Sequence, residues 1–218
     1  MKIGVLGATG PAGAGLAARL ASIGHEVLAG SRDPSRAERA VAELRELWGE
    51  RVAGLRGVSN AEAARADLVV LGVNADAAVA TAAVHAAALH GKVVVSMANA
   101  VVKRDREFCP VLPPEGSVAA AVQAAAPDAR VVAAWQHVPA ASFGDLDHPI
   151  EGDVIVCADD DDARETVLEI VREIPGVRAL DGGSLANAVG IEAFAAVLLT
   201  INLRHRTKAS LGLHGLES

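Results

Sequence analysis

Tyrosine is absent from this chain of 218 residues, and aromatic residues together make up only 2% of it. The proton relay of the short-chain dehydrogenases, which uses a Tyr–Lys pair, is therefore excluded. The sequence also has no Gly-x-Ser-x-Gly nucleophile motif, and its His, Cys and acidic residues do not fall at metal-ligand spacing. We accordingly predict no metal site and no catalytic side chain.

Only two cysteines are present, Cys109 and Cys157, and they are far apart in the sequence. They form neither a Cys-x-x-Cys motif nor a disulfide framework, which indicates a reducing compartment, and we expect a cytoplasmic protein. The net charge of −7 argues against a nucleic-acid partner, because such proteins carry broad basic surfaces. No charged segment followed by a long apolar one begins the chain, so we predict no signal peptide.

The longest apolar run, residues 188–203, is interrupted by Glu192 and Asn202 and is shorter than the ~20 residues of a membrane span. We interpret it as a buried or subunit-interface helix and predict no membrane association. Hydrophobic residues make up 51% of the chain and charged residues 22%, a composition typical of a folded protein with a sizeable core.

Short apolar runs alternate with alanine-rich helical segments along the chain. The runs are continuous rather than alternating, which indicates strands covered by helices on both faces. We therefore predict an α/β fold with a Rossmann-type doubly wound parallel sheet, followed by a small C-terminal α/β unit. A shift in composition near residue 150 divides the chain into 1–152 and 153–218. The predicted strands are 2–6, 26–29, 52–55, 67–72, 92–96, 130–134, 153–157 and 177–180, and the predicted helices are 11–23, 35–48, 60–65, 76–89, 161–173 and 185–203.

A glycine-rich turn, residues 7–13 (GATGPAG), lies directly between the first predicted strand and the first predicted helix. Gly7 and Gly10 permit a tight turn and let backbone N–H groups approach a pyrophosphate at the helix N-terminus. The Thr9 hydroxyl is a further phosphate donor. The spacing GxxGxxG is less common than GxGxxG, but the strand–turn–helix context favours a dinucleotide site over a ligand-free turn.

The end of the second predicted strand reads Ser31-Arg32-Asp33. An NAD enzyme places an acidic residue here for the ribose 2′-hydroxyl, whereas a hydroxyl and a guanidinium suit a 2′-phosphate. Arg36, one helical turn later, adds a second positive charge. We therefore favour NADP over NAD, while Asp33 keeps NAD open.

Six stretches together resemble the coenzyme F-420 (deazaflavin)-dependent NADP oxidoreductases, and they occur in the family's order over nearly the whole chain. The first two, GATGPAG and GSRDPSRA, are common to many NADP proteins, whereas the VPAASF and SLGLHGL stretches are much more specific. The six stretches are GATGPAG, GSRDPSRA, AAWQHVPAASFGDLD, VCADDDDA, LDGGSLANA and NLRHRTKASLGLHGL.

The resemblance implies reversible hydride transfer between NADP(H) and coenzyme F-420, with the deazaflavin in a cleft between an NADP-binding domain (1–152) and a small domain (153–218). It also implies a homodimer whose interface involves the small domain. By motif position, the resemblance implies that the pyrophosphate is held by Gly7, Thr9, Gly10, Pro11 and Ala12, and the 2′-phosphate by Ser31, Arg32 and Arg36. It implies that the nicotinamide side of the site is lined by Val73, Asn74, Ala75, Asn99 and Val101. It also implies that Ala140 contacts the carboxamide and that Leu211 lies over the ring.

Two interpretations of His137 stay open: contact with the deazaflavin, or a hydrogen-bonded structural role. The basic cluster at residues 204–208 is equally open between an anionic deazaflavin tail and the cations that match a helix C-terminus. For the whole chain, the alternatives are an NADPH-dependent flavin or ferric reductase of the same fold, and a non-catalytic NADP-sensing protein.

Overall fold

The continuous apolar runs form buried strands at the centre of a computed structural model that describes residues 1–216. Successive side chains on each strand enter different hydrophobic clusters: Ile3 and Val5 join one cluster, and Leu6 joins another. The first cluster also contains the helical residues Leu16 and Ala163, and the second contains the helical residues Ala63 and Ala78. Helices therefore cover both faces of the sheet, as the continuous runs predicted.

Eight strands form this sheet in the order β10-β9-β8-β5-β4-β1-β2-β3. The strands are β1 Lys2–Leu6, β2 Glu26–Ser31, β3 Leu55–Ser59, β4 Leu68–Leu71, β5 Val93–Ser96, β8 Arg130–Ala133, β9 Gly152–Ala158 and β10 Val177–Asp181. The main helices are α1 Pro11–Ser22, α2 Pro34–Trp48, α3 Asn60–Ala63, α4 Ala75–Leu89, α5 Val118–Ala125, α6 Ala140–Gly144, α7 Asp161–Glu173 and α8 Ala188–His205. The order reverses at β1 and β4, which creates the crevice where doubly wound sheets bind ligands.

Two features of the sheet differ from the prediction. The strand expected at 52–55 is wrong, because a 3₁₀ turn occupies Gly49–Val52 and β3 begins at Leu55. The sheet is also not parallel throughout, since β9 pairs antiparallel with β8 while β10 is parallel to β9. The sheet thus continues past residue 152. The division of the chain into 1–152 and 153–218 stays a prediction, and residues 217 and 218 of the second part lie outside the described range.

Three elements were not predicted at all: α5, α6 and the hairpin of β6 (Val101–Arg104) and β7 (Glu107–Pro110). The hairpin lies outside the main sheet and is antiparallel. It packs on α8, where the Phe108 amide donates to Thr200 Oγ1 at 2.8 Å and Arg204 pairs with Glu107 at 3.3 Å. Its charged sequence gave no apolar run from which to infer a strand.

The acidic run at residues 159–162 lies at the start of α7. Asp160 is the N-cap residue, and its side chain accepts from the Ala163 amide at 2.7 Å. The carboxylates of the run lie near the positive end of the α7 dipole, where they are favourable.

The apolar run in helix α8 contains a buried carboxyl group, Glu192, whose side chain caps α5. Its two oxygens accept from the Val118 and Ala119 amides at 2.7 and 3.0 Å, in the first turn of α5. Burial nevertheless raises the pKa of Glu192 to about 7, because desolvation outweighs the two amide donors. By length and composition, the helical segment Leu185–His205 is apolar enough to cross a membrane, although 33% of its most apolar window is buried.

We expect Glu192→Gln to change how folding stability depends on pH. A carboxyl whose folded pKa is raised binds more protons in the folded state, so its contribution is present below about pH 4.5 and is lost as the pH rises through about 7. Between pH 5 and 8 the wild-type chain should lose about 2 kcal/mol of unfolding free energy that the Gln variant does not lose. Denaturant titrations at both pH values measure this, with exposed Glu169→Gln as the control. Parallel pH profiles for wild type and Glu192→Gln would contradict it.

Candidate nucleotide-binding cleft

A cleft of about 1240 Å³ opens at the carboxyl ends of β1, β2, β4 and β5. Loops that follow these strand ends form most of its wall, since the strands are parallel and end at the same edge of the sheet. Of the residues predicted for a ligand site, those that line the cleft are Gly7, Thr9, Gly10, Pro11, Ala12, Ser31, Arg32, Arg36, Val73, Asn74, Asn99 and Val101.

Three glycines shape the turn between β1 and α1, each in a different way. Gly7 has φ +84°, and a Cβ there would lie 2.1 Å from Val73 Cγ1. A Cβ on Gly13 would lie 2.8 Å from the Gly7 carbonyl oxygen, so α1 packs directly on the turn. A Cβ on Gly10 would meet nothing within 4 Å. Gly10 thus faces open space, which lets a ligand approach the backbone.

Helix α1 begins at Pro11 and presents an uncapped N-terminus to the cleft. Its N-cap residue, Gly10, has no side chain to accept from the first amides, and the first turn contains no acidic residue. The turn itself is fastened by hydrogen bonds from the Gly7 and Ala8 amides to the Gly30 carbonyl, at 3.1 and 2.9 Å. This arrangement is a preformed anion site made of backbone N–H groups and a helix dipole.

Ser31, Arg32 and Arg36 lie together at the end of β2 and the start of α2. Ser31 is buried and accepts from the Asp33 amide at 3.2 Å, whereas both arginines are exposed. The ion pairs among the described residues use other arginines. Two free guanidinium groups at one end of the cleft suit a second anionic group of a ligand.

Asp33, which kept NAD open in the sequence, is the N-cap residue of α2. Its Oδ1 accepts from the amide and the hydroxyl of Ser35 at 3.0 and 2.8 Å. The hydrogen bonds from Ser35 lower the pKa of this carboxyl group. Asp33 also lines the cleft, but the contacts described here are those of a helix cap.

The loop after β4 forms the opposite wall. Asn74 caps α4, with its Oδ1 accepting from the Ala77 amide at 3.0 Å, and Val73 contacts the glycine turn. Ala75 opens α4 next to this wall but is outside the cleft lining. The cleft has further lining residues that sequence reasoning did not name: Asn60, Gly72, Asp76, Ala77, Ala80, Thr81, Val84, His85, Met97, Ala98 and Leu199.

Asn60 is the missed residue with a defined contact to the turn. It is buried at the start of α3, and its Oδ1 accepts from the Gly7 amide at 3.3 Å. The signal that would have found it is its place directly after β3, at the same sheet edge as the glycine turn. The error in placing β3 concealed that position.

Ala140, His137 and Leu211 lie outside the cleft lining, near the end of β8. Ala140 opens α6, and α6 is held to α1 by the buried Arg19, which donates to the carbonyls of Ser142 and Phe143 at 3.0 and 3.3 Å. The structure thus packs the later residues of α6 on α1, and Ala140 at the start of α6 is not among the residues that line the cleft.

His137 and Leu211 converge on Asp153, the second residue of β9. His137 Nε2 lies 2.8 Å from the Asp153 carbonyl oxygen, and the Asp153 amide donates to the Leu211 carbonyl at 2.8 Å. The Asp153 side chain is paired with Arg178 at 2.8 and 2.9 Å and also accepts from the Leu213 amide. The hydrogen bonds from Arg178 lower the pKa of Asp153. Asp153 therefore fastens the C-terminal segment to the ligand edge of the sheet.

The basic cluster at 204–208 contains the end of α8. Arg204 and His205 are in its last turn, where cations match the helix dipole, and Arg206 ends the helix with φ 52°. Lys208 lies 3.9 Å from Asp145. These contacts give the basic cluster a structural role at the end of α8. That the cluster binds an anionic ligand stays a prediction.

Within residues 1–216, no group of three or more His, Cys, Asp or Glu side chains is placed to hold a metal ion. Burial raises the pKa of the Cys157 thiol to about 11, so it is not a thiolate nucleophile near neutral pH. The cleft offers backbone amides, guanidinium groups and amide side chains, together with the Asp33 and Asp76 carboxylates and the His85 imidazole. Such groups bind and orient a dinucleotide, and the dinucleotide itself supplies the reactive atoms.

The glycine turn at the first β–α junction and the crevice at the strand-order reversal define a Rossmann-type dinucleotide-binding oxidoreductase. Residues 2–100 match the family model described as "NADP oxidoreductase coenzyme F420-dependent". The chain belongs to this family, because it is also 36% identical over 217 residues to the F420-dependent NADP reductase of Methanocaldococcus jannaschii, with 96% of each chain covered.

Further relatives are similar to this chain over nearly its whole length. The chain is 34% identical to the F420-dependent NADP reductase of Methanothermobacter marburgensis, with 95% of each chain covered. Among solved structures, it resembles a protein from Arthrobacter sp. FB24 provisionally assigned as an F420-dependent NADP-reductase, with TM-score 0.81, 27% identity and full coverage of both chains. A protein from Sinorhizobium meliloti shares the fold, with TM-score 0.73 and 22% identity.

Among the glycines of the turn, we expect Gly13→Ala to destabilise the fold far more than Gly10→Ala. A Cβ at Gly13 meets two backbone carbonyl oxygens at 2.8 and 2.9 Å, and overpacking of this kind costs about 2–3 kcal/mol. Gly10→Ala, which adds a Cβ in open space, should cost under about 1 kcal/mol. Urea denaturation without ligand compares the two. Equal losses would mean that α1 does not pack on the turn as described.

Proposed function

We propose that this chain transfers a hydride reversibly between NADP(H) and coenzyme F-420. The observation that carries the proposal is the combination of an uncapped helix N-terminus at Gly10–Pro11 with two arginines at the end of β2, Arg32 and Arg36, that form no ion pair within residues 1–216. These are the two anion sites that a pyrophosphate and a 2′-phosphate need. The names of the relatives, F420-dependent NADP reductases, supply the second reactant.

The chain's own residues act by binding and orientation. The amides of the first turn of α1 and the Thr9 hydroxyl hold the pyrophosphate, and Arg32, Arg36 and Ser31 hold the 2′-phosphate. The nicotinamide then lies toward the ends of β4 and β5, between Val73 and the loop 99–101. The Ala140 backbone would meet the nicotinamide carboxamide, and the deazaflavin would lie beyond it, near His137 and Leu211.

The two cofactors supply the chemistry. When both are bound, they would supply a hydride transfer from the nicotinamide of NADPH to the deazaflavin ring, with a proton taken up from solvent, to give NADP⁺ and reduced F-420. No acid–base side chain is needed for the hydride step, so rate depends on holding the two rings in contact.

A direct assay tests the activity. Protein is mixed with NADPH and oxidised F-420, and the deazaflavin absorbance is followed, with FMN and a ferric chelate as acceptors in parallel. Loss of deazaflavin absorbance is the expected result. Reduction of FMN or iron alone would favour the other reductases of this fold, and NADPH binding without oxidation would favour a sensor.

We expect Arg32→Ala to weaken NADPH binding by about 1–3 kcal/mol, because charge-assisted hydrogen bonds to the 2′-phosphate are lost. NADH binding should stay within about twofold of wild type, since NADH lacks that phosphate. Calorimetric titration of both dinucleotides measures the difference. The matched control is Arg65→Ala, an exposed arginine outside the cleft. An unchanged NADPH affinity in Arg32→Ala would refute the assignment.

We further propose a cytoplasmic homodimer in which α8 forms the interface and the unit from residue 153 onward completes the deazaflavin side. On α8, Phe194, Val197 and Ile201 form one apolar stripe at positions i, i+3 and i+7, and each is at least a third exposed in the single chain. Leu199 and Leu203 project from the opposite face of the helix, where Leu199 lines the cleft. A second copy of the chain buries such a stripe without a membrane. Glu192 supports this proposal, because its buried carboxyl accepts a hydrogen bond from α5 and so fixes the position of α8 on the chain.

Val197→Glu should convert the dimer to a monomer, because Val197 is 49% exposed on α8 and a buried charge at an interface is unfavourable. Sedimentation at micromolar concentration reads out the mass. Leu47→Glu, which changes a 67% exposed leucine on α2, is the control and should not alter it. A wild-type chain that sediments as a monomer would remove this part of the proposal.

A further inference from the structure

Buried polar atoms without partners are concentrated at the ends of β5 and β8. Within the described chain, seven buried side-chain N or O atoms lack a hydrogen-bond partner, and five of them lie in two short segments, 96–99 and 135–137. The five atoms are Ser96 Oγ, Asn99 Oδ1, Trp135 Nε1, Gln136 Oε1 and His137 Nδ1. Native proteins leave few such atoms, so a cluster at adjacent strand ends on the ligand edge of the sheet indicates a polar site.

Two hydrogen bonds fix which way the amide side chains point. Asn99 Nδ2 donates to the Gln136 backbone carbonyl at 2.6 Å, and Gln136 Nε2 donates to the Ser96 carbonyl at 3.2 Å. A carbonyl oxygen only accepts, so the amide nitrogen must face it in both cases. The amide oxygens of Asn99 and Gln136 are therefore left as acceptors.

The tautomer of His137 follows in the same way. Its Nε2 lies 2.8 Å from the Asp153 carbonyl oxygen, so Nε2 carries the proton. Burial lowers the pKa of His137, which keeps the ring neutral and Nδ1 an acceptor. Three of the five atoms are thus acceptors, while Trp135 Nε1 is a donor and the Ser96 hydroxyl can act either way. A ligand group that pairs with one of the three acceptors must carry an N–H or O–H donor.

Asn99 is the member of the cluster that lines the cleft, next to Met97, Ala98 and Val101. The two arginines mark the adenosine end of the cleft at β2, so the end of β5 lies on the side where the nicotinamide ring falls. A nicotinamide ring carries one group with N–H donors, the carboxamide. Its NH₂ can donate to one acceptor, while its carbonyl needs a donor elsewhere.

We propose that Asn99 Oδ1 accepts a hydrogen bond from the carboxamide NH₂ of NADP(H), and that Gln136 positions Asn99 through its backbone carbonyl. The inference rests on the proposed NADP binding. It makes Asn99 a specificity determinant for the nicotinamide substituent, because a substituent without N–H leaves a buried acceptor unsatisfied. It also sets which way the ring lies, and hence which face it turns to the second cofactor.

Binding of oxidised dinucleotide analogues tests this without any turnover. Dissociation constants are measured by calorimetry for NADP⁺, its thionicotinamide analogue, which keeps NH₂, and its 3-acetylpyridine analogue, which replaces NH₂ by CH₃. Wild type should bind the acetylpyridine analogue about tenfold more weakly than the other two. In Asn99→Ala the three constants should agree within about threefold, with Asn99→Ser as a second variant if the first fails to fold.

The adenosine fragment 2′,5′-ADP separates this inference from the proposed function. It should bind wild type and Asn99→Ala equally well, since it reaches only the arginine end of the cleft. Failure of both 2′,5′-ADP and NADP⁺ to bind wild type would defeat the NADP site itself. Normal NADP⁺ binding with no discrimination against the acetylpyridine analogue, or discrimination that survives in Asn99→Ala, would overturn the role of Asn99 alone.

Discussion

The contact between the start of α1 and the ends of β1 and β4 is the constraint on which the cleft depends. Gly7, Gly13 and Gly72 meet there with no side chains between them: a Cβ on Gly13 would lie 2.8 Å from the Gly7 oxygen and 2.9 Å from the Gly72 oxygen. This close packing aims the amides of α1 into the crevice and brings Val73 against the turn. A helix held farther away would leave the same amides facing solvent or the sheet. The anion site is therefore a consequence of backbone packing, with side chains adding selectivity.

The attraction for the ligand's phosphates must come from groups close to them, because the protein as a whole is acidic. At a net charge of −7 its long-range field repels a dinucleotide phosphate, but that field is screened over about 8 Å at physiological salt. Within that distance the exposed guanidinium groups of Arg32 and Arg36 act without an ion-pair partner in the part of the chain that the structure describes. Asp33, the nearest acid in sequence, is drawn into the Ser35 hydrogen bonds that begin α2. Because the hydrogen bonds that begin α2 engage the Asp33 carboxylate, the end of the cleft at Arg32 and Arg36 stays positively charged.

The sequence predicted those parts of the fold that local pattern determines. Strands buried on both faces, such as β1 and β4, stand out as apolar runs, and the phosphate loop follows from glycine spacing between a strand and a helix. The position of β3 was missed because Val52, in a 3₁₀ turn, is as apolar as the strand residues that follow it. The antiparallel direction of β9 depends on where the chain crosses after β8, which no local pattern records. Asn60 and Gln136 were missed for a related reason, since their roles arise from contacts between segments distant in sequence.

The end of β8 departs from ordinary protein architecture in a way that suits a site whose task is orientation. Trp135 is fully buried yet has φ +69°, a left-handed conformation that costs a bulky residue about 1–3 kcal/mol. The turn it makes sends Gln136 and His137 back toward β5 and β9, where their side chains are fixed by single hydrogen bonds to backbone carbonyls. Strain and unsatisfied acceptors at one place both lower stability, so they persist only where the surrounding core over-determines the geometry. The proposed hydride transfer needs two rings held in one orientation, and we place part of that hold at this acceptor-rich strand end beside the cleft.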